Sequence, residues 1–448
     1  MAKTFRGGIH LNEYKNTEKC KIEKLPAPEY VTIPMSQHIG AHCKPLVSVG
    51  DTVNKGQLIG VAESGLYCPA HASISGKVRA IEEKKMTSGV SVQNVVIDND
   101  FEDRLDPSVK PFEKKLTDTS VEEIIEIVKN AGISGMGGAT FPTFAKISSA
   151  LGKVDTIIIN CAECEPFITA NHRLLVENPA SVINGLKILL KTFELREGII
   201  AVEDNKPDAI SRLKSLIGKS KMIRVEELQT KYPQGDERQL IYALTGKELP
   251  MGKLPADVGC VVFNAETCSS IFGAFATGMP LIERIVTVDG DCVKTPKNLL
   301  VPIGTPYSVL IDYCGGLVKT PWKIVNGGPM MGISQWDINA PVTKGTSAIL
   351  VFSDAFDKKY EIEPCCIRCG RCVRGCPMHL MPNYLALFAS QNKLDLAEQF
   401  DIMSCVECGS CSYSCPGNVP IVQYIRAAKG QINDAKRAKA LNLAASKK

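Results

Sequence analysis

The sequence predicts a multidomain chain, α/β in its middle, β-rich on either side and closed by a cysteine-rich helical region. Three observations carry that expectation. Strand-like and helix-like patterns alternate from about Val154 to Phe263, as in a largely parallel sheet with crossover helices. Short β-branched runs broken by turn residues fill 31–98 and 283–352. A four-cysteine motif occurs twice between Cys366 and Cys415. Domain boundaries are accordingly placed at 105, 280, 354 and 430.

A chain of 448 residues has room for about three domains. With 44% hydrophobic and 22% charged residues it has the composition of a folded globular protein, not of a disordered, collagen-like or coiled-coil one. A net charge of +4 provides no field for nucleic acid, which is not expected as a partner. No run approaches the ~18 to 20 consecutive apolar residues of a membrane helix. The start, Met-Ala-Lys-Thr-Phe-Arg-Gly-Gly-Ile-His, lacks the apolar core of a secretory signal. A cytosolic chain with reduced thiols is expected. Its 18 cysteines, at short spacings, then suggest metal or redox ligands.

In chain order, Val47–Gly60 and Pro69–Val78 resemble the two halves of a biotinyl/lipoyl-like barrel sandwich. The stretch between them, Ala62–Cys68, has no lysine to carry a prosthetic group, so a structural module is expected. Ser120-Val121-Glu122-Glu123 reads as a capping box, in which Ser120 and Glu123 satisfy each other's backbone N–H groups. Ile124, Ile125 and Val128 give that helix an apolar stripe, and Gly132 closes it. Strands are expected at Val154–Ile159, Gly198–Val202, Met222–Val225 and Cys260–Phe263, with helices at Ala180–Phe193, Pro207–Ile217 and Asp236–Leu244. From Glu283 to Phe352, turn pairs such as Asp289-Gly290 and Gly315-Gly316 mark a second β-rich domain. Helices after Glu363 are expected to be short and interrupted. The basic end (Lys429, Lys436, Arg437, Lys439, Lys447 and Lys448 against Asp434) is expected to be solvated and frayed.

The repeated motif is Cys366-x2-Cys369-x2-Cys372-x3-Cys376-Pro377, and its second copy, Cys405-x2-Cys408-x2-Cys411-x3-Cys415-Pro416, begins 39 residues later (Cys405 against Cys366). Three thiolates two residues apart wrap three irons of one cubane, and the chain then turns away, so the fourth suits the other cluster. Cys366, Cys369, Cys372 and Cys415 are therefore assigned to one [4Fe–4S] cluster, and Cys405, Cys408, Cys411 and Cys376 to a second. Gly370 and Gly409 let backbone N–H groups approach the sulfurs. Structural zinc usually takes two CxxC pairs joined by a longer loop, a poorer match. Cys365 falls outside the spacing, and the nine other cysteines read as small buried hydrophobes.

Gly132–Lys146 is rich in glycine before a helix pattern. Glycines let backbone approach a ligand, and N–H groups at a helix start bind phosphate. The run is neither a Walker motif nor a GxGxxG after a strand. Lys146 adds a positive charge suited to a phosphate. Ile158-Ile159-Asn160-Cys161-Ala162-Glu163-Cys164-Glu165-Pro166 lies at the C-terminal end of an expected strand, where open α/β sheets bind ligands. Asn160 offers donor and acceptor together, and Glu163 and Glu165 bring carboxylates suited to ribose hydroxyls.

Gly135–Lys146, Asn160–Pro166, Tyr232-Pro233-Gln234-Gly235-Asp236-Glu237 and Asn264-Ala265-Glu266-Thr267 occur in this order between an Arg6–His10 start and the cysteine motifs. The combination resembles the RnfC family, a component of the Rnf ion-pumping ferredoxin:NAD oxidoreductase, over nearly the whole chain. The middle two domains also resemble the FMN- and NADH-binding subunit of respiratory complex I. The resemblance implies a barrel-sandwich domain in 1–105, a Rossmann-like FMN/NADH-binding domain in 106–280 and a β-grasp-like (SLBB) domain in 281–354. A ferredoxin-like domain with two [4Fe–4S] clusters follows in 355–430, then a basic tail in 431–448. It further implies FMN as cofactor, NAD(H) as substrate and the other Rnf subunits as partners, with ferredoxin acting indirectly. The place implied is the cytoplasmic face of the membrane, as a peripheral part of a Na⁺- or H⁺-translocating oxidoreductase.

Carried over by position, Gly135, Gly137, Gly138, Lys146, Asn160, Gly235, Asn264 and Thr267 surround FMN. Glu163, Glu165 and Glu237 lie by the nucleotide and the flavin face, Phe141 stacks on adenine or nicotinamide, and Tyr232 completes the cofactor-binding set. Three residues depart from the complex I pattern: Met136 for an arginine, Thr140 for a glycine and Ala162 for an aspartate. The implied chemistry is hydride transfer between NAD(H) and FMN with single electrons passing to the clusters, and no side chain is assigned as acid or base. Two rivals are a microcompartment-type cobalamin reductase and an electron relay without nucleotide binding. The changes at Met136 and Ala162 are the support for the relay.

Overall fold

The computed structural model describes residues 2–86, 89–356 and 363–445. Residues 2–20 form a strap rather than a sheet of their own. Lys3 bridges Leu228, Ile9 bridges Tyr232, and β1 (Ile22–Lys24) joins a sheet that belongs to the third domain. The expected unit 1–105 therefore begins as a set of contacts with its neighbours.

The barrel sandwich proper follows as two small sheets. One comprises β2 (Tyr30–Pro34), β4 (Thr52–Val53), β7 (Gly76–Lys85) and β8 (Ser91–Asn99); the other β3 (Lys44–Pro45), β5 (Leu58–Val61) and β6 (Ala70–His71). Val31, Ile33, Ile59, Val78, Val95 and Ile97 fill the space between them.

The middle domain opens with α1 (Val121–Asn130), whose capping box is formed: Glu123 N–H donates to Ser120 Oγ at 3.2 Å and Ser120 N–H to Glu123 Oε2 at 2.9 Å. Then come α2 (Thr143–Ala150), β9 (Thr156–Cys161), α3 (Ala170–Glu177), α4 (Pro179–Thr192), β10 (Gly198–Glu203) and α5 (Pro207–Ile217). The domain ends with β11 (Ile223–Leu228), α6 (Glu237–Thr245), β12 (Cys260–Asn264) and α7 (Ala265–Thr277). The four strands are all parallel, in the order β11-β10-β9-β12. Both faces are covered. Ile157, Ile159, Ile200 and Val202 pack on the α4/α7 side, and Ile158, Ile199 and Ala201 on the α6 side. Continuous apolar text in β9 and β10 reflects that two-sided burial. Each buried isoleucine or valine among them contributes ~1.5–3 kcal/mol.

The third domain is a mixed six-stranded sheet in the order β1-β14-β13-β17-β15-β16. Its strands are β13 (Glu283–Asp289), β14 (Lys297–Pro302), β15 (Lys323–Asn326), β16 (Ile333–Gln335) and β17 (Ala348–Phe352). Leu310 and Ile311 of α8 (Tyr307–Tyr313) pack on Val286, Leu299 and Val351.

The last region holds α9 (Arg371–Arg374), α10 (Pro382–Ser390), α11 (Leu394–Gln399), α12 (Ser410–Tyr413) and α13 (Ile421–Ala445). The first four are short, as expected; α13 is not. It runs 25 residues and crosses the boundary placed at 430. Ile421, Val422, Ile425, Ala428 and Ile432 form a stripe buried with Leu385 and Ala386 of α10. Lys429 is held by Glu407 and Cys405 O, and Lys436 by Glu398, so these cations do not fray. Lys447 and Lys448 lie outside the described residues. Among the described residues no helix is long and apolar enough to cross a membrane.

Candidate cofactor sites

The strand order of the parallel sheet reverses between β9 and β12, which makes their C-terminal ends the natural ligand crevice. Asn160 and Asn264 stand opposite each other there, as the last register pair of the two strands. Asn264 caps α7 by accepting from Glu266 N–H at 2.8 Å. Asn160 donates to Gly235 O at 2.9 Å and accepts from Ala162 N–H at 3.0 Å. Both asparagines thus hold the backbone of the crevice in shape.

The glycine-rich segment folds into a tight loop ahead of α2. Gly135 N–H donates to Phe141 O at 2.9 Å and Thr143 N–H to Ile133 O at 3.0 Å. The loop is pinned to α7: Met136 N–H donates to Thr267 Oγ1 at 3.0 Å. A Cβ on Gly137 would fall 2.9 Å from Asn264 Nδ2, whereas one on Gly138 would meet nothing within 4 Å. Only a bare backbone lets the loop close on the helix start, and its other side is open. That is a fit for a phosphate-bearing ligand approached by backbone N–H groups. Thr140, which stands for a glycine of the complex I pattern, keeps the left-handed backbone at φ +52°. Phe141 is 38% exposed at the mouth.

Lys146, on α2, pairs with Glu237, on α6, at 3.0 Å, so these two site candidates meet across the crevice. Gly235 lies against the end of β9; a Cβ there would stand 2.8 Å from Ala162 O. Gly135, Gly137, Lys146, Asn160, Gly235, Glu237, Asn264 and Thr267 are thereby linked into one crevice.

The two acidic candidates after β9 are otherwise engaged. Glu163 is buried and accepts from Asn171 and His172 N–H at 2.8 and 3.2 Å, capping α3. Glu165 accepts from Met330 and Met331 N–H at 3.0 and 2.9 Å, gripping a loop of the third domain. Burial pushes its carboxyl up to about 7. Both carboxylates are held by backbone N–H groups. Asp236, which was not singled out, caps α6 by accepting from Arg238 and Gln239 N–H.

The two cysteine motifs fold alike. Gly370 and Gly409 begin α9 and α12 with φ of +72° and +81°. Arg368 and Glu407, the same distance apart, both have φ +56°. A cavity in this region is lined by Cys376 together with Cys405, Cys408 and Cys411. Those four thiols come from three residues of one motif and the last of the other, a donor set suited to a cubane. Cys366 and Cys369 are exposed, and Cys372 is buried. The cavity side docks on the middle domain. Tyr232 Oη donates to Cys408 O at 2.6 Å, and Gln239 Nε2 to Pro377 O at 3.2 Å.

Family models match four successive stretches: an RnfC barrel sandwich hybrid domain at 3–102, a Nuo51 FMN-binding domain at 128–273, an SLBB domain at 285–334 and a 4Fe-4S dicluster domain at 365–419. The RnfC component of the Na(+)-translocating ferredoxin:NAD(+) oxidoreductase complex of Acetobacterium woodii is 45% identical over 431 residues, covering 96% of this chain and 97% of the relative. The chain belongs to the RnfC family. The counterpart from the proton-translocating complex of Clostridium ljungdahlii is 44% identical, covering 96% and 94%. The counterpart from the ion-translocating oxidoreductase complex of Rhodobacter capsulatus is 39% identical, covering 96% and 83%. Among solved structures, an NAD+-reducing [NiFe]-hydrogenase in its air-oxidized state shares the fold at a TM-score of 0.50 and 18% identity. That match covers 69% of this chain and 61% of the other.

The FMN-binding span contains the glycine-rich loop and all four sheet ends, and the dicluster span contains all eight motif cysteines. What the sequence reading of this RnfC-family chain missed is the scaffold behind the crevice. Arg284, 1% exposed, pairs with both oxygens of Glu266 at 3.0 and 2.9 Å and reaches Met136 O at 3.5 Å. Lys344 and Lys15 bind loop carbonyls of the same crevice. The one signal was a charge inside a β-branched run, Ile282-Glu283-Arg284-Ile285-Val286.

Proposed function

We propose that this chain is the FMN- and iron–sulfur-bearing subunit of a membrane-bound, ion-translocating ferredoxin:NAD⁺ oxidoreductase complex. It exchanges electrons between NAD(H) and the other Rnf subunits, and it sits peripherally on the cytoplasmic face. The observation that carries the reading is the docking of the four-thiol cavity on Tyr232, at the head of the motif whose Gly235 and Glu237 line the flavin crevice. A carrier of single electrons is thereby built against the site of a two-electron one.

FMN fits the crevice between the glycine-rich loop and the ends of β9 and β12, with Lys146 as the charge for its phosphate. When bound, it supplies conversion between hydride and single-electron transfer. The chain's own residues then have defined tasks. The Gly135–Gly138 backbone and the start of α7 bind the phosphate-bearing end, and Asn160 and Asn264 fix the crevice walls. Glu237 holds Lys146 in place. Cys376, Cys405, Cys408 and Cys411 are assigned to one [4Fe–4S] cluster, and Cys366, Cys369, Cys372 and Cys415 to the other. In the first set Cys376, Cys408 and Cys411 are buried on the side that docks on the middle domain; the exposure of Cys366 and Cys369 supports a second cluster turned toward another member of the complex.

Anaerobically prepared protein is expected to carry a flavin absorbance that NADH bleaches. Brown protein without flavin, indifferent to NADH, would establish the relay instead.

A further inference from the structure

Two lysines from outside the middle domain reach into it and bind only backbone carbonyls. Lys344, in the third domain, is 2% exposed. Its ammonium donates to Gly132 O at 2.7 Å and Pro69 O at 2.8 Å. Its backbone is tied as well: Lys344 N–H donates to Gln37 Oε1 at 3.0 Å, and Lys344 O accepts from Arg284. Because Arg284 also reaches Met136 O and pairs with Glu266, one chain of contacts runs from Gly132 to the first turn of α7. The carbonyls at both ends of the stretch 132–136 are thus held by cations. Gly132 itself must lack a side chain, since its φ is +62° and a Cβ would stand 2.5 Å from Pro69 O.

Lys15, in the N-terminal strap, does the same on the opposite wall. Its ammonium donates to the carbonyls of Glu163, Glu165 and Ile168 at 2.8, 2.8 and 2.7 Å. Three carbonyls of one bend close around a single cation, using all three of its donors. The bend's own carboxylates turn away, to α3 and to the loop at Met330. The strap is fixed on either side by Phe167 N–H to Glu13 O and by the contact between the Thr17 and Thr169 hydroxyls.

We propose that Lys344 and Lys15 are positioning residues that set the two walls of the flavin crevice separately, Lys344 the glycine-rich wall and Lys15 the wall after β9. Each acts through backbone it orders. Removing either ammonium strands buried carbonyls, which costs more than the bond itself was worth, and the loop must rearrange to hydrate them. The inference rests on the FMN reading and deepens it.

The test compares Lys344→Met and Lys15→Met, both of which keep the apolar stem, in full-length protein purified anaerobically with FMN. Three quantities are measured: FMN dissociation by fluorescence of released flavin, KM for NADH with ferricyanide as acceptor, and melting temperature. Lys344→Met is expected to weaken FMN about tenfold or more, as loss of a charged hydrogen bond does. Lys15→Met is expected to weaken FMN about tenfold as well. Lys15→Arg, which retains the cation, is expected to restore most of that loss. Values like those of the unaltered chain would overturn the proposal. So would both readouts falling together in proportion to melting temperature, because that is plain structural damage. If Lys344→Met does not fold, Gln37→Ala carries the test, with weaker FMN binding expected and unchanged binding contradicting it. Failure of the unaltered chain to bind FMN would strike the FMN reading instead.

Discussion

The two cysteine motifs share one spacing and one backbone yet stand in opposite surroundings. His379 and Asn418 occupy the same place in each and have φ of +53° and +52°, so the local geometry repeats residue by residue. The second copy is packed inward. Cys408 and Cys411 are buried, Cys408 O receives the Tyr232 hydroxyl, and Gly409 lies so close to Met330 O that a Cβ would stand 3.0 Å away. The first copy is split, with Cys366 and Cys369 exposed, Ile367 65% exposed between them, and Cys372 and Cys376 buried. Spacing fixes how a cluster is wrapped; the domain packed against it fixes which electron partner it meets.

The largest effect is expected from Cys376→Ser. Cys376 lies in the first motif but lines the cavity of the second. The expected outcome is loss of the inward cluster with the outward one retained, seen as a halved iron and sulfide content and one remaining EPR signal. Loss of the outward cluster instead would refute the crossed ligation.

Glu165 sharpens the inward half, because the loop it grips is the one Gly409 leans on. Its folded carboxyl lies near 7 against an ordinary 4.5, so the folded state binds that proton more tightly than the unfolded one. Stability from this group is therefore present below about 4.5 and lost as pH rises to about 7, by at most ~3 kcal/mol. Glu165→Gln is expected to flatten the fall in melting temperature across that window. An unchanged pH profile would show that the carboxyl does not titrate there.

Lys146→Ala tests the crevice rather than the clusters. About tenfold weaker flavin retention after desalting is expected if the cation serves the phosphate, and full retention would remove that role. Tyr232→Phe deletes only the hydroxyl that holds Cys408 O, an expected cost of ~1–2 kcal/mol. Faster hydrogen exchange is expected at 405–411, with exchange at 366–372 unchanged. The smallest effect is expected from Cys365→Ser, which leaves both clusters in place; loss of iron there would give Cys365 a role its spacing denies.

Much of this was readable in the sequence for a definite reason. The capping box, the strand and helix runs of the middle domain and the doubled cysteine spacing are all short-range patterns, and short-range geometry realises them. Asn160 was legible as the end of a strand, whereas Gly235 and Asn264 came only from the family resemblance. What was not legible depends on the tertiary partner. Glu163 and Glu165 read as ligands because their loop is at the right place, but the N–H groups of α3 and Met330 claim them first. Lys15 and Lys344 contact the crevice from 148 or more residues away in sequence, so no local pattern marks them, and Arg284 shows only as a charge inside a β-branched run. The helix α13 was missed because its small and polar outer face hides the stripe from Ile421 to Ile432.

Iron, acid-labile sulfide and flavin measured on anaerobically purified full-length protein decide whether one chain holds both a hydride-accepting flavin and two cubanes. About eight iron, eight sulfide and one FMN per chain are predicted, as two [4Fe–4S] clusters and one flavin require. Zinc in place of iron, or four iron with no flavin, would contradict it.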